Sequence, residues 1–366
     1  MSVFGTHLVV SLFGESHGPF VGVSAHHLPA DIPIDIESVA AALSRRRPLG
    51  PAASERRERD RFDIVSGLYE GRTTGAPLTI LIPNEDIDRR DYDPFIPRPG
   101  HADIAAAKKY KGANDPYGGG HFSGRLSAPL VALGDIVRQI LAPKGIAVFT
   151  HIRSVGDVRG PSITSYGHDL PKLNALESSA FPALEDTWRA RLESAILAAK
   201  AQGDSVGGET ETLILGCEAG LGEPFFDSVE SVLSHLLFSI PGVKGVAFGK
   251  GFSLAGMLGS EANDPIRFDA SGKIRFTKND MGGILGGISS GQPILFSTAF
   301  KPTPTISKPQ ETVHLGKRKN IIHTFSGRHD PCIAVRASHV VTALTYIAIL
   351  ELTLRNGGYR WKLSKN

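Results

Sequence analysis

Cysteine is scarce. Cys217 and Cys332 are the two in 366 residues, too few for a disulfide framework or a four-thiolate metal site, and they fit a reducing compartment. Charge excess is missing as well: 40 Lys+Arg against 37 Asp+Glu leave a net +3, too little to make nucleic acid the main partner. Long apolar runs are absent. The longest uncharged apolar stretch, residues 340–350, ends at Glu351, well short of the ~20 residues a membrane span needs. The start, MSVFGTH, has no charged lead, and the apolar run at 8–13 is too short for a signal-peptide core. A soluble, cytoplasmic chain is expected. No low-complexity tract, fixed-period repeat or Ser/Gly-rich linker divides it, so residues 1–366 are expected to form one large unit, although ~100–200 residues per domain would allow more.

Apolar residues make up 41% and charged residues 21%, too apolar for disorder. Glycine is in excess: 41 residues, roughly 11% against the usual ~7%. That excludes a plain helical bundle and favours tight turns and places where backbone approaches a ligand. Apolar runs at 8–13 and 21–26 read as strands around a GESHGP turn. Asp35 reads as the N-cap of a helix with Ile36, Val39 and Leu43 on one face. Pro48 stops that helix, leaving Arg45-Arg46-Arg47 at its end as a solvated terminus suited to the helix dipole. Residues 62–69 and 77–82 form a hairpin, and 84–100 is irregular. Helices are expected near 102–110, 126–141, 188–199, 229–236 and 337–354, with strands at 210–215, 243–248 and 293–300. Strands and helices do not alternate regularly, which points to an α+β fold with antiparallel sheets rather than an open parallel sheet.

Residues of catalytic type concentrate in the loops. His17 sits in GESHGP, Arg98 and His101 in RPGHAD, and Arg125 follows three glycines at 118–120. GDSVGG (203–208) and SGRHDP (326–331) complete the set. The glycine loop is neither a Walker loop, lacking Gly-Lys-Ser/Thr, nor a dinucleotide fingerprint, lacking a preceding strand. Asp204-Ser205 has no nucleophile elbow around it and reads as a turn. His26-His27 lacks helical metal-pair spacing, so no metal site is expected. Arginine beside glycine-rich backbone and histidine suits a small polyanion: Arg grips phosphate and carboxylate bidentately, and His exchanges a proton near neutral pH. The residues alone give an enzyme acting on a phosphorylated or multiply carboxylated small molecule, with no flavin implied.

In order along the chain, the loops resemble the chorismate synthase family. The motifs are GESHGP (14–19), RRRP (45–48), RPGHAD (98–103), YGGGHFSGR (117–125), GDSVGG (203–208), GLGEPFFD (220–227), GGILGGISSGQP (282–293), KPTPTI (301–306) and GRHDPC (327–332). The resemblance implies a shikimate-pathway lyase. It would convert 5-enolpyruvylshikimate 3-phosphate to chorismate and phosphate by 1,4-anti elimination, with reduced FMN and no net redox change. It implies a β-α-β sandwich with helices packed between antiparallel sheets, in a homotetramer. Carried over by motif, His17, His101 and Asp330 are the catalytic residues. Arg46, Arg98, Arg125 and Arg328 bind the substrate. His121, Phe122, Ser123, Gly286, Lys301, Pro302, Thr303, Pro304, Thr305 and Arg328 line the flavin.

Two departures from the family pattern stand out. Residues 121–127 read HFSGRLS where many members have RSSARET, so Arg125 is kept while the side chains at 121 and 122 differ. An arginine that often follows RRRP is missing from residues 49–53. The chain is therefore expected to depend on an external flavin reductase rather than reduce its own flavin with NADPH. The competing readings are another flavin-dependent lyase on a phosphorylated ring acid, and a non-catalytic flavin- or anion-binding module.

Overall fold

The structure, a computed structural model, describes residues 2–47, 50, 59–87, 92–167, 169–327 and 330–360. Two five-stranded antiparallel sheets enclose the principal helices. The first runs Val3–Phe4, Val9–Gly14, Phe20–His26, Leu78–Pro83, Asp63–Ser66 in spatial order. The second runs Val243–Phe248, Ile294–Phe300, Gly208–Leu215, Ala147–Val155, Val158–Arg159. Alternation sets the inner face: Leu78, Ile80 and Ile82 are buried, with half-buried residues between them. The hairpin expected at 62–82 forms, but a small second hairpin, Leu68–Tyr69 with Arg72–Thr73, is folded into its turn.

Between the sheets, helix Ser127–Leu141 lies on the first and Ala334–Arg360 on the second, and the two pack on each other. Ser127–Leu141 is buried almost all round, as a core helix must be. The close approach needs Gly134, where a Cβ would collide with Ala343. Residues 124–144 and 334–357 are apolar and long enough to cross a membrane, but 78% and 83% of their apolar windows are buried inside the fold. Run length alone had suggested that no segment would pass that test. One apolar core joins both sheets, from Val10 and Val23 to Ile214 and Phe296.

Asp35 caps helix Ile36–Arg46 as expected, its Oδ1 accepting from Glu37 N at 2.9 Å and Ser38 N at 3.3 Å. The inward stripe of Val39 and Leu43 continues to Arg46, which is 3% exposed. The reading of Arg45–Arg47 as a solvated end is therefore corrected at Arg46. Both cysteines are buried free thiols; burial pushes Cys217 up to about 12 and Cys332 up to about 11.

The long final helix also anchors the chain start. Fully buried Glu351 accepts from Thr6 N at 3.0 Å, His7 N at 3.1 Å and Leu8 N at 2.5 Å, and pairs with Arg355 Nε at 2.7 Å. Burial alone would raise its pKa, but the amides and Arg355 hold it below the ordinary value. A depressed folded-state pKa adds stability above the unfolded value, near 4.5, and that contribution is lost as pH falls through the folded value. Glu351→Gln should lower unfolding free energy by ~1.5–3 kcal/mol at pH 7, and by less in acid. Denaturant titrations of both proteins at pH 7 and pH 4 check this; equal midpoints at pH 7 would contradict it.

Candidate active site

The GESHGP loop joins the strands Val9–Gly14 and Phe20–His26 at one end of the first sheet. Asn84, just past the neighbouring strand, donates from Nδ2 to Glu15 O at 2.9 Å and Gly18 O at 2.7 Å, fixing the loop. Ser16 N donates to Gly120 O at 3.1 Å, and Ser16 Oγ lies 3.0 Å from His17 Nδ1. His17 is 6% exposed and meets Tyr92 edge-on. Gly118, at φ +61°, lies where any Cβ would overlap the His17 ring, which requires glycine there. The next residue, Gly119, faces His101: a Cβ at Gly119 would stand 3.3 Å from His101 Cε1 and 3.4 Å from its Nε2. One glycine loop thus makes room for the His17 ring and faces His101.

His101 precedes the helix Asp103–Tyr110. Its Nδ1 lies 2.6 Å from Asp103 Oδ1. Arg98 grips the same carboxylate: Nη2 donates to Oδ1 at 2.7 Å, Nε to Oδ2 at 2.8 Å and the backbone N to Oδ2 at 2.9 Å. Burial opposes ionisation of Asp103, but the hydrogen bonds from Arg98 and His101 outweigh it and hold the carboxyl well below the usual range. The Arg98 guanidinium also lies over the Tyr92 ring at 5.4 Å.

Arg46 and Arg125 converge beneath the His17 loop. Arg125 donates from Nε to Asn84 Oδ1 at 2.9 Å, from Nη2 to Pro83 O at 3.0 Å and from Nη1 to Asp60. Arg46 donates from Nη2 to Gly124 O at 2.8 Å and Ser127 Oγ at 3.1 Å, with Nη1 3.6 Å from the same Asp60. Asp330 pairs with Arg336 Nη1 at 2.7 Å, and Arg336 Nε donates to Arg46 O at 3.3 Å. Arg328 and residues 49 and 51–53 lie outside the described residues.

The 301–305 segment closes another side. Thr303 Oγ1 donates to Asp330 O at 2.6 Å, and Lys301 Nζ donates to Gly100 O. Burial, then nearby Lys244, pushes the Lys301 pKa down. Pro304 lies against Gly100 and Pro302 against Gly207, while Thr305 is half-buried. Ser205 Oγ donates to Thr303 O at 2.7 Å, so GDSVGG props this segment. Among the described residues no metal-holding group of His, Cys, Asp and Glu occurs.

A cavity of about 380 Å³ opens beside this cluster, lined by Arg98, His101, Asp103, Gly119, Phe122 and Phe325. His121 and Phe122 lie ring to ring at 4.2 Å, with Tyr110 edge-on to His121 at 5.1 Å. Ser123 Oγ accepts from Arg125 N at 3.2 Å. Aromatic side chains beside polar groups, in this volume, suit a planar aromatic ring. Gly286 does not join this cluster: it sits at the exposed turn between Ile284–Leu285 and Ile288–Ser289, a hairpin tied to Val229 and Gly220. Sequence reading did not single out Asp60, Asn84, Asp103 or Arg336 as site residues. Asp103 had one visible signal, its place two residues after His101 at a helix start.

The family model described as chorismate synthase matches residues 8–354. Chorismate synthase of Korarchaeum cryptofilum is 44% identical over 97% of this chain and 98% of its own length. That of Chitinophaga pinensis is 42% identical over 97% of each, and that of Aeropyrum pernix 41% over 94% and 90%. A crystal structure of chorismate synthase superimposes with a TM-score of 0.75 at 24% identity, covering 97% of this chain and 94% of the other, and is alike in fold.

Proposed function

This chain belongs to the chorismate synthase family, and on that premise we propose that its two histidine loops carry out a 1,4-anti elimination of phosphate from 5-enolpyruvylshikimate 3-phosphate. The family places it as a lyase at the last step of the shikimate pathway, toward the aromatic amino acids, with a phosphorylated small molecule as substrate and flavin as cofactor. The observation that supports the proposal is the 118–119 glycine turn, where the missing Cβ atoms leave room for the His17 ring at Gly118 and face His101 at Gly119.

The elimination breaks the C–O bond to phosphate and a C–H bond on the opposite ring face, and forms a ring double bond. The chemistry a bound reduced FMN would contribute is a transient supply of electron density, with no net redox change. The residues that would hold it are His121, Phe122 and Ser123 with the segment 301–305. Arg46 and Arg125 share one carboxylate, Asp60, and Arg98 is paired with Asp103; the net positive charge this leaves would favour a departing anion. His17 and His101 hold or move protons at the phosphate and on the flavin side. Asp330, paired with Arg336 Nη1 at 2.7 Å, would help accept the ring proton.

Further features belong to the same proposal. Two buried free thiols support a reducing cytoplasm. Phe225, Phe226 and Phe252, each at least 86% exposed in the single chain, support assembly into a homotetramer. The apolar cluster that joins both sheets supports a single domain. Electrons come from an external flavin reductase rather than from NADPH at this site. Turnover should need added reduced FMN and survive chelation. Full activity without flavin, or its complete loss to a chelator, would overturn the proposal.

A further inference from the structure

We infer that Asp103 is a positioning residue for the reaction: it fixes the tautomer of His101 so that Nε2 faces the glycine loop and the cavity. The inference rests on the proposed role of His101. Four donors surround the Asp103 carboxylate. Oδ1 takes His101 Nδ1 at 2.6 Å and Arg98 Nη2 at 2.7 Å; Oδ2 takes Arg98 Nε at 2.8 Å and Arg98 N at 2.9 Å. An ionised carboxylate only accepts, so Nδ1 must carry the proton. Nε2 is left to accept a proton when the ring is neutral and to donate one when it is charged. It points at Gly119, 3.4 Å from where a Cβ would stand, and His101 lines the cavity.

Arg98 adds the second half of the device. Its planar fork matches both carboxylate oxygens, which a lysine cannot do. By countering the Asp103 charge, it leaves the carboxylate to orient the ring without becoming protonated itself. The plain alternative is that Asp103 serves the start of helix Asp103–Tyr110, where a negative charge suits the helix dipole. That role needs no bond to His101, and the short contact to Nδ1 goes beyond it.

The test is ¹⁵N spectroscopy of histidine-labelled full-length protein, with the His101 ring signals identified by their loss in His101→Ala. The wild-type neutral ring should carry its proton on Nδ1. A wild-type Nε2–H tautomer overturns the inference, whatever the variants do. In Asp103→Asn the amide oxygen stays with Arg98 and the NH₂ turns toward His101, so the ring should flip to Nε2–H. In that variant kcat should fall by about 10²-fold or more, with substrate KM little changed. Asp103→Asn in a His101→Ala background should cost nothing further. A folded Asp103→Asn variant with the wild-type tautomer and kcat, or additive losses in the double variant, overturns the inference. Absence of phospholyase turnover in the wild type would instead defeat the proposed function, and the tautomer would still decide the Asp103 contact.

Discussion

Replacing His17 or His101 with alanine lowers kcat by roughly 10²–10⁴-fold while the protein stays folded. The range is what positioned acid–base groups typically contribute. Both rings sit in loops rather than in the apolar core, so neither loss removes much core packing. His17 is the more buried and meets Tyr92 and Ser16, so its removal also loosens the GESHGP loop. The glycine loop at 118–119 keeps its own anchor, Gly120 O to Ser16 N. The loss should therefore fall on kcat more than on substrate affinity, as for a group acting mainly in the transition state. Each variant should also lose one limb of the pH–rate profile. A folded variant, saturated with reduced FMN, that kept near wild-type kcat would remove that histidine from the mechanism.

Arg125→Ala has the second large effect, and it falls first on stability. Sequence reading assigns Arg125 to the substrate alone. The structure also makes it a buried tie between Asp60, Asn84 and Pro83 O, 5% exposed. Removing it leaves the buried Asp60 carboxylate with Arg46, at 3.6 Å, as its other cation, and losing a buried hydrogen bond to a charged group typically costs ~1.5–3 kcal/mol. It also frees Asn84, which holds the His17 loop through Glu15 O and Gly18 O, so activity should fall with stability. Chemical denaturation reads the first effect as a lower midpoint at an unchanged slope. An unshifted midpoint would show that Asp60 is satisfied without Arg125.

Local rules made much of the fold legible. The Asp35 cap, the stripe behind it and the strands flanking GESHGP follow from capping chemistry and periodicity. The strand Ala147–Val155 carries no such signature. Its Thr150, His151 and Arg153 break the apolar pattern, because they pair with Thr212 and Glu211 of a strand some 60 residues away. The hairpin Gln310–His314 with Lys319–His323 is polar and half-exposed, so alternation is weak there. At the site, the histidines and arginines were visible as loop motifs. Their partners were not: Asp60 meets Arg125 across 65 residues and Asn84 meets it across 41. Charge pairing at that distance leaves no local mark in a sequence.

The central claim is that these loops form one phospholyase site. Its most direct test is an anaerobic assay of the purified chain with 5-enolpyruvylshikimate 3-phosphate and reduced FMN, following phosphate and chorismate together. The account predicts equal amounts of the two, formed over many turnovers, with net flavin oxidation absent. Phosphate released without chorismate, or no release from a folded, flavin-saturated protein, would contradict it.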